Sequence, residues 1–271
     1  MTAITATAPS YGRSTAFANV LRSEFLKLRS VRSTYWTLAS AVMFNVVLAA
    51  AAAMVIAGKL SVQDRQSVDA IRLSLAGLHL SQIAFGVLGV LVITSEYGTG
   101  MIRATFSAVP QRRMVLAAKA VVFGAVAITG GAVSTFAGYF AFQALLPSSD
   151  TYLKTSLSDP GVLRAVFGGG LYLAVLGLLG LGLGTLLRSS AGAIATVFGL
   201  LFVPQIFVGL LPAVWRKTIG PYLPMNAGSD IFIASHREAG SLSPWTGFGV
   251  FCLYAIVALT AGVICLPRRD A

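Results

Sequence analysis

Charge is scarce in this chain. Only 11% of its 271 residues are charged, and nine acidic residues face 20 lysines and arginines. A soluble domain carries roughly a quarter charged residues, so the composition excludes an ordinary water-facing surface. Cysteine and histidine are scarcer still, at two each. Cys252 and Cys265 stand thirteen residues apart in one apolar run. On a helix they take different faces, cannot pair with each other and read as small buried hydrophobes. His79 and His236 lie far apart, and His236, in a polar connection, reads as a solvated side chain rather than a ligand. HExxH and GxSxG are missing. The one Gly-Lys pair, Gly58-Lys59, is followed by Leu60 and has Ala53 where a phosphate-cradling loop needs its first glycine. The chain carries no ATP site, no cofactor motif and no catalytic or metal constellation of its own.

What is abundant is apolar sequence, at 56% of residues with a mean hydropathy of +0.81. Six runs approach or exceed the roughly 20 residues that cross the ~30 Å hydrocarbon layer as a helix. They are Tyr35–Gly58, Gly77–Ser95, Val115–Phe142, Arg164–Leu187, Ala191–Leu211 and Trp245–Leu266. Barrel strands would be about ten residues long and strictly alternating. Continuous apolar runs of this length predict an all-α integral membrane protein with six spans, because exposed backbone is not tolerated in lipid.

With an even number of spans both termini share a side with the second-to-third and fourth-to-fifth connections. That side carries Arg13, Arg22, Lys27, Arg29, Arg32, Arg103, Arg112, Arg113, Lys119, Arg188, Arg268 and Arg269, against only Glu24, Glu96 and Asp270. The positive-inside rule places it in the cytoplasm. The overall charge of +11 is spread over these juxtamembrane positions. It suits anionic lipid headgroups, and nothing resembles a basic, aromatic-interleaved module for nucleic acid. The opening MTAITATAPSYGRS has no basic region ahead of a short apolar core, so the first span is expected to serve as signal anchor.

Ahead of that span, Phe17, Val20, Leu21, Phe25, Leu28 and Val31 share one helical arc, with Arg22, Lys27, Arg29 and Arg32 among the flanking positions. The pattern fits a helix lying in the interface. The alternative is a plain extension of the first span into water. Glu24 intrudes on the arc; it can pair with Lys27 one turn on, or meet a cytoplasmic partner.

The segment Ile93–Lys119, ITSEYGTGMIRATFSAVPQRRMVLAAK, is a polar and basic interlude between two spans. Gly98 and Gly100 allow a sharp turn, Thr99 can cap a short helix, and Pro110 must end it. The expected helix, Thr99–Ala108, presents Met101, Ile102, Arg103, Thr105 and Phe106. Arg112, Arg113 and Lys119 would then pin the third span at the headgroups. Read from the residues alone, this is either a lever that moves both spans together or a basic loop that fixes topology.

Inside the spans ionisable groups are nearly absent, which argues against a proton- or sodium-coupled carrier. Polar candidates for a pathway or gate are Asn45, Gln82 and Gln205. Pro204 frees the Leu200 carbonyl and either hinges the fifth span or is simply tolerated there. Gly168–Gly170 and Gly177, Gly180, Gly182 and Gly184 lie in an apolar span without a basic residue, and read as close helix packing.

Two pieces, SEFLKLRSVRSTYWTL at Ser23–Leu38 and ITSEYGTGMIRATFSAVPQRRMVLAAKA at Ile93–Ala120, resemble the permease subunits of ABC-2 family ABC transporters, in the compact six-span form common in actinobacteria. The YLPMNAG segment at Tyr222–Gly228 is similar too. The resemblance implies an N-terminal interfacial elbow helix carrying Phe17, Leu21, Glu24, Phe25, Lys27, Arg29 and Arg32. It also implies a cytoplasmic coupling helix that docks into an ATPase, pointing to Glu96, Tyr97, Gly98, Thr99, Arg103, Thr105, Phe106, Pro110, Arg112 and Arg113. Between the fifth and sixth spans it implies short helices dipping into the outer leaflet. The implied assembly is two permease copies, or one with a sister chain, and two ATPase subunits holding ATP and magnesium, in the plasma membrane. On this reading residues 1–13 are a flexible tail, 14–34 the interfacial helix, 35–266 the bundle and 267–271 a cytoplasmic tail. The implied activity is export, with a lipidic, amphipathic or drug-like cargo. A membrane anchor that recruits a soluble partner, or a passive channel, are the competing functions; a channel should carry charged pore rings, and none is evident.

Overall fold

The computed structural model describes residues 13–59, 68–147, 153–234 and 240–266, and every regular element among them is helical. The outermost tails and His236 lie outside the described residues. In chain order the helices are α1 (Arg13–Ser30), α2 (Arg32–Lys59), α3 (Ala70–Ser74), α4 (Leu78–Gly98), α5 (Met101–Ala108), α6 (Arg112–Leu145), α7 (Val162–Leu187), α8 (Ser190–Gly209), α9 (Ala213–Ile219), α10 (Pro224–Ser229) and α11 (Pro244–Cys265). Six of them, α2, α4, α6, α7, α8 and α11, are long and apolar enough to cross a membrane. They coincide with the six apolar runs. At 34 residues α6 is the longest, about 51 Å at 1.5 Å per residue, and therefore reaches beyond the hydrocarbon.

The bundle is organised around α7, which packs against α4, α6, α8 and α11. It has the composition for a central position, since glycines let neighbouring backbones approach where lipid provides no hydrophobic drive for helices to associate. A Cβ on Gly89 of α4 would overlap the Gly177 carbonyl of α7, and one on Gly180 would come within 2.7 Å of the Gly86 carbonyl. Gly131 of α6 and Gly170 of α7 meet in the same manner. The glycine-rich run thus sits at helix crossings. Phe85, Phe123, Tyr172 and Phe251 fill the space between them and are fully buried.

A polar knot joins three other helices. Asn45 Nδ2 of α2 donates to Ser81 Oγ of α4 at 3.1 Å and to Ser134 Oγ of α6 at 2.7 Å. Both serine hydroxyls donate in turn to the Ala41 carbonyl. The amide nitrogen and both hydroxyls thus find partners inside the bundle, where hydrocarbon supplies no alternative, while the Asn45 Oδ1 oxygen is buried without one among the described residues.

The connection between α8 and α11 folds into α9, α10 and two short 3₁₀ turns, Gly220–Tyr222 and Asp230–Phe232. Arg164 at the start of α7 fastens it by donating to the Ile231 and Ile233 carbonyls at 2.8 and 3.0 Å. Tyr172 stacks on Phe251 with ring centroids 5.1 Å apart and meets Phe232 edge-on at 5.3 Å. Trp215 and Tyr222 remain exposed.

The helix before the first span ends sooner than its apolar arc suggests. Val31 interrupts it, and α2 starts at Arg32. The face of α1 that meets the bundle carries Val20, Leu21, Glu24, Lys27 and Leu28, whereas Phe25 and Val31 point outward. The acidic residue that looked like an intruder belongs to the inner face.

Candidate functional site

The interlude between α4 and α6 is built by a left-handed glycine. Gly100, at φ 70°, reverses the chain and stands immediately before α5. A side chain is strained in that conformation, so Thr99 does not take the cap position. Its hydroxyl instead donates to the Ser95 carbonyl at 2.8 Å, finishing α4. At the other end Val109 is extended ahead of Pro110, and α5 stops at Ala108.

This eight-residue helix has two faces. Ile102 is buried in the core of the bundle, against the expectation that it faces outward, because at this turn it points back between the spans. Met101, Arg103, Ala104, Ser107 and Ala108 are exposed, with Thr105 and Phe106 half-buried. Two guanidiniums cover aromatic rings nearby: Arg112 lies 5.1 Å from the Phe106 centroid and Arg188 the same distance from that of Tyr97. Arg112 also donates to the Leu266 carbonyl at 3.1 Å, joining the start of α6 to the end of α11. Gly98, Thr99, Pro110 and Arg113 lie on the exposed surface around α5.

Beneath this surface lies a cluster of four charges. Lys119 Nζ of α6 donates to Glu24 Oε2 of α1 at 2.6 Å and to Glu96 Oε1 of α4 at 2.8 Å. Lys27 Nζ donates to Glu24 Oε1 at 2.7 Å, to Glu96 Oε1 at 3.3 Å and to Thr105 Oγ1 of α5 at 3.2 Å. Glu24, Glu96 and Lys119 are 2%, 3% and 2% exposed. Taking such ions out of water costs several kcal/mol each unless they are paired, and here two carboxylates balance two ammoniums. Buried charges link α1, α4 and α6, so these three cannot shift independently without disturbing one, and Lys27 extends the link to Thr105 of α5.

Two expectations are corrected by this arrangement. Lys119 does not reach headgroups: it lies six residues beyond Arg113, about 9 Å further along the helix, and turns inward to Glu24 and Glu96. Glu96 is likewise buried rather than available at the surface, although it sits one residue from Tyr97 in the same motif. The Glu24–Lys27 pair anticipated from the sequence is present, and the second partner of Glu24, on a helix 95 residues later, is what the sequence did not reveal.

Lys27 is the wettest member, with 26% of its side chain exposed. Burial alone would lower its pKa, but hydrogen bonds and charges from Glu24 and Glu96 outweigh that and raise it above the ordinary 10.5. A raised folded-state value means that the charge stabilises fully below 10.5 and loses its effect as pH climbs through the higher folded value. The melting-temperature difference between wild type and Lys27→Met is therefore expected to stay constant from about pH 7 to pH 9 and to shrink only in stronger alkali. Thermal unfolding followed at a series of pH values checks this. Lys27 also borders an open groove of about 570 Å³ between α1 and α5, walled by Val20, Ala104, Ala108, Val109, Met114 and Val115 with Thr105 and Glu24 at its edge.

The candidate pathway residues do not converge. Asn45 belongs to the polar knot, and Gln82 accepts from the Tyr172 hydroxyl at 2.7 Å between α4 and α7. Gln205 exchanges hydrogen bonds with Asn226 at 2.8 and 3.2 Å, tying α8 to α10. Pro204 lies within α8, which continues to Gly209. Arg22, Arg29 and Arg32 are exposed around α1.

No family model matches the chain, and no curated protein matches it.

Proposed function

We propose that this chain is the membrane-spanning permease subunit of an ATP-driven transporter of the ABC-2 type, powered by a separate ATPase. In this reading α1 is the interfacial elbow, α5 the coupling helix and their end of the bundle the cytoplasmic one. The observation that carries it is the placement of α5: an exposed eight-residue helix between two spans, whose Thr105 joins a buried ion cluster reaching α1, α4 and α6. A partner that grips α5 has hold of several elements at once. That is what a motor subunit requires of its membrane partner, and the chain lacks an ATP site of its own.

The complex consists of two ATPase subunits and two permease chains, this one with itself or with a sister, in the plasma membrane with both termini cytoplasmic. Closure of the ATPase pair around ATP and magnesium displaces α5, and the spans rearrange to release an amphipathic or lipidic cargo outward. Arg103, exposed on α5, is the residue by which docking is tested. Pull-down of the tagged chain from its own cells in mild detergent, with mass spectrometry, is expected to recover an ATPase bearing Walker motifs. Arg103→Glu should reduce that recovery by about tenfold or more, the effect of reversing a charge at an interface. Equal recovery with both chains would remove α5 as the docking element, and no ATPase with the wild type would remove the permease reading.

A further inference from the structure

We propose that Lys27 is the positioning residue through which a movement of α5 enters the bundle: a releasable clasp on Thr105 and Glu96, while Lys119 holds the fixed core of the ion cluster. This rests on the permease reading above and adds to it which contact opens.

The two lysines share both carboxylates but are built differently. Lys119 makes short bonds of 2.6 and 2.8 Å with its side chain 3% exposed. Lys27 makes one short bond, to Glu24 on its own helix, and two long ones, 3.3 Å to Glu96 and 3.2 Å to Thr105, with its side chain part-exposed. Partly exposed contacts of that length are the weak ones in any such network.

Charge bookkeeping singles out the same residue. If Lys27 leaves Thr105 and Glu96, it keeps Glu24 one turn away, and Glu96 keeps Lys119. Every buried charge retains a partner. Loss of Lys119 would leave Glu96 with only the longer contact to Lys27. The cluster can therefore open at Lys27 without stranding an ion and cannot open at Lys119. The groove beside Lys27 gives its flexible stem room to swing, because Thr105 and Lys27 both border that space. Thr105 is suited to the contact: its hydroxyl donates to the Met101 carbonyl and so offers its oxygen to the ammonium.

The test uses the permease–ATPase complex in lipid nanodiscs, with hydrogen–deuterium exchange measured before and after addition of ATP. In the wild type, ATP is expected to alter exchange in α5 and in the adjoining parts of α1, α4 and α6. In Lys27→Met and Thr105→Val complexes the change in α5 should persist while the change in α1, α4 and α6 falls at least severalfold. ATPase binding should match the wild type in Lys27→Met, exchange without ATP should match it in Thr105→Val, and Lys27→Arg should restore the response. An undiminished ATP response in α4 and α6 of Lys27→Met would overturn the proposal. So would raised exchange in Thr105→Val before ATP is added, which would make the Lys27–Thr105 contact a structural one. Failure of the wild type to bind any ATPase would instead defeat the permease reading itself, without reference to Lys27.

Discussion

Lys119→Met is expected to destabilise the bundle by about 3–5 kcal/mol, the usual cost of removing one partner from a buried ion pair. Without its ammonium, Glu24 and Glu96 face each other in a space where both are at most 3% exposed, sharing only Lys27. The cost arises from the stranded carboxylates, so removing one of them should relieve it. Lys119→Met combined with Glu24→Gln leaves Glu96 and Lys27, a balanced pair. The double variant is expected to regain most of the loss, with a coupling of roughly 2 kcal/mol or more between the two sites. Thermal unfolding in detergent, read by size-exclusion chromatography of the surviving monodisperse fraction, gives the comparison. Arg113→Met is the control: Arg113 is exposed at the same end of α6, and its loss should change stability by less than about 0.5 kcal/mol. Equal stability of Lys119→Met and Arg113→Met would mean that Lys119 faces headgroups after all.

Residues near one another in sequence were legible, and those joined only by folding were not. The six spans follow from run length, because bilayer thickness sets a requirement that each run meets on its own. The Glu24–Lys27 pair could be read for a similar reason, since three residues make one helical turn. Lys119 could not be placed, because its partners stand 95 and 23 residues away. A signal was nevertheless there: a single lysine among Leu116, Ala117, Ala118, Ala120 and Val121, too far from Arg113 to share its headgroup layer. An acidic residue on the apolar face of α1 was the complementary signal. Each was explicable alone by a short-range account, and neither specified the other.

Helix faces were misjudged where the chain turns. Composition identifies α5 as amphipathic, but its rotation is set by Gly100 in the left-handed region, and that rotation sends Ile102 inward and leaves Arg103 outside. Likewise Val31 continues the apolar periodicity of α1 although the helix has stopped. Periodicity registers a pattern and is blind to a break in the helix that carries it. Asn45, Gln82 and Gln205 were singled out as polar groups in apolar runs, a sound reason to expect partners, and each has one. In lipid a hydrogen bond that joins helices and a group that lines a pathway look the same in sequence.

Gly89→Ala is expected to be among the most damaging single-methyl additions in the bundle. The new Cβ would collide with the Gly177 carbonyl, a backbone atom at the crossing of α4 and α7. No rotamer change can relieve such an overlap, so the helices must separate, and about 3 kcal/mol or more should be lost, at or beyond the upper end for overpacking. The expectation is graded by what each glycine faces. A Cβ on Gly86, one turn away, meets the tip of the Phe198 ring at 3.2 Å, and a side chain can yield, so Gly86→Ala should cost appreciably less. Gly199 faces open space, where alanine should gain as much as about 1 kcal/mol from helix propensity. Melting temperatures of the three variants in one detergent should therefore fall in the order Gly199→Ala, Gly86→Ala, Gly89→Ala. Should Gly89→Ala melt with Gly199→Ala, α4 and α7 do not cross at backbone contact. The consequence would extend to the ion cluster, since α4 carries Glu96, and the distance of that carboxylate from Lys119 is fixed by how closely α4 packs into the bundle.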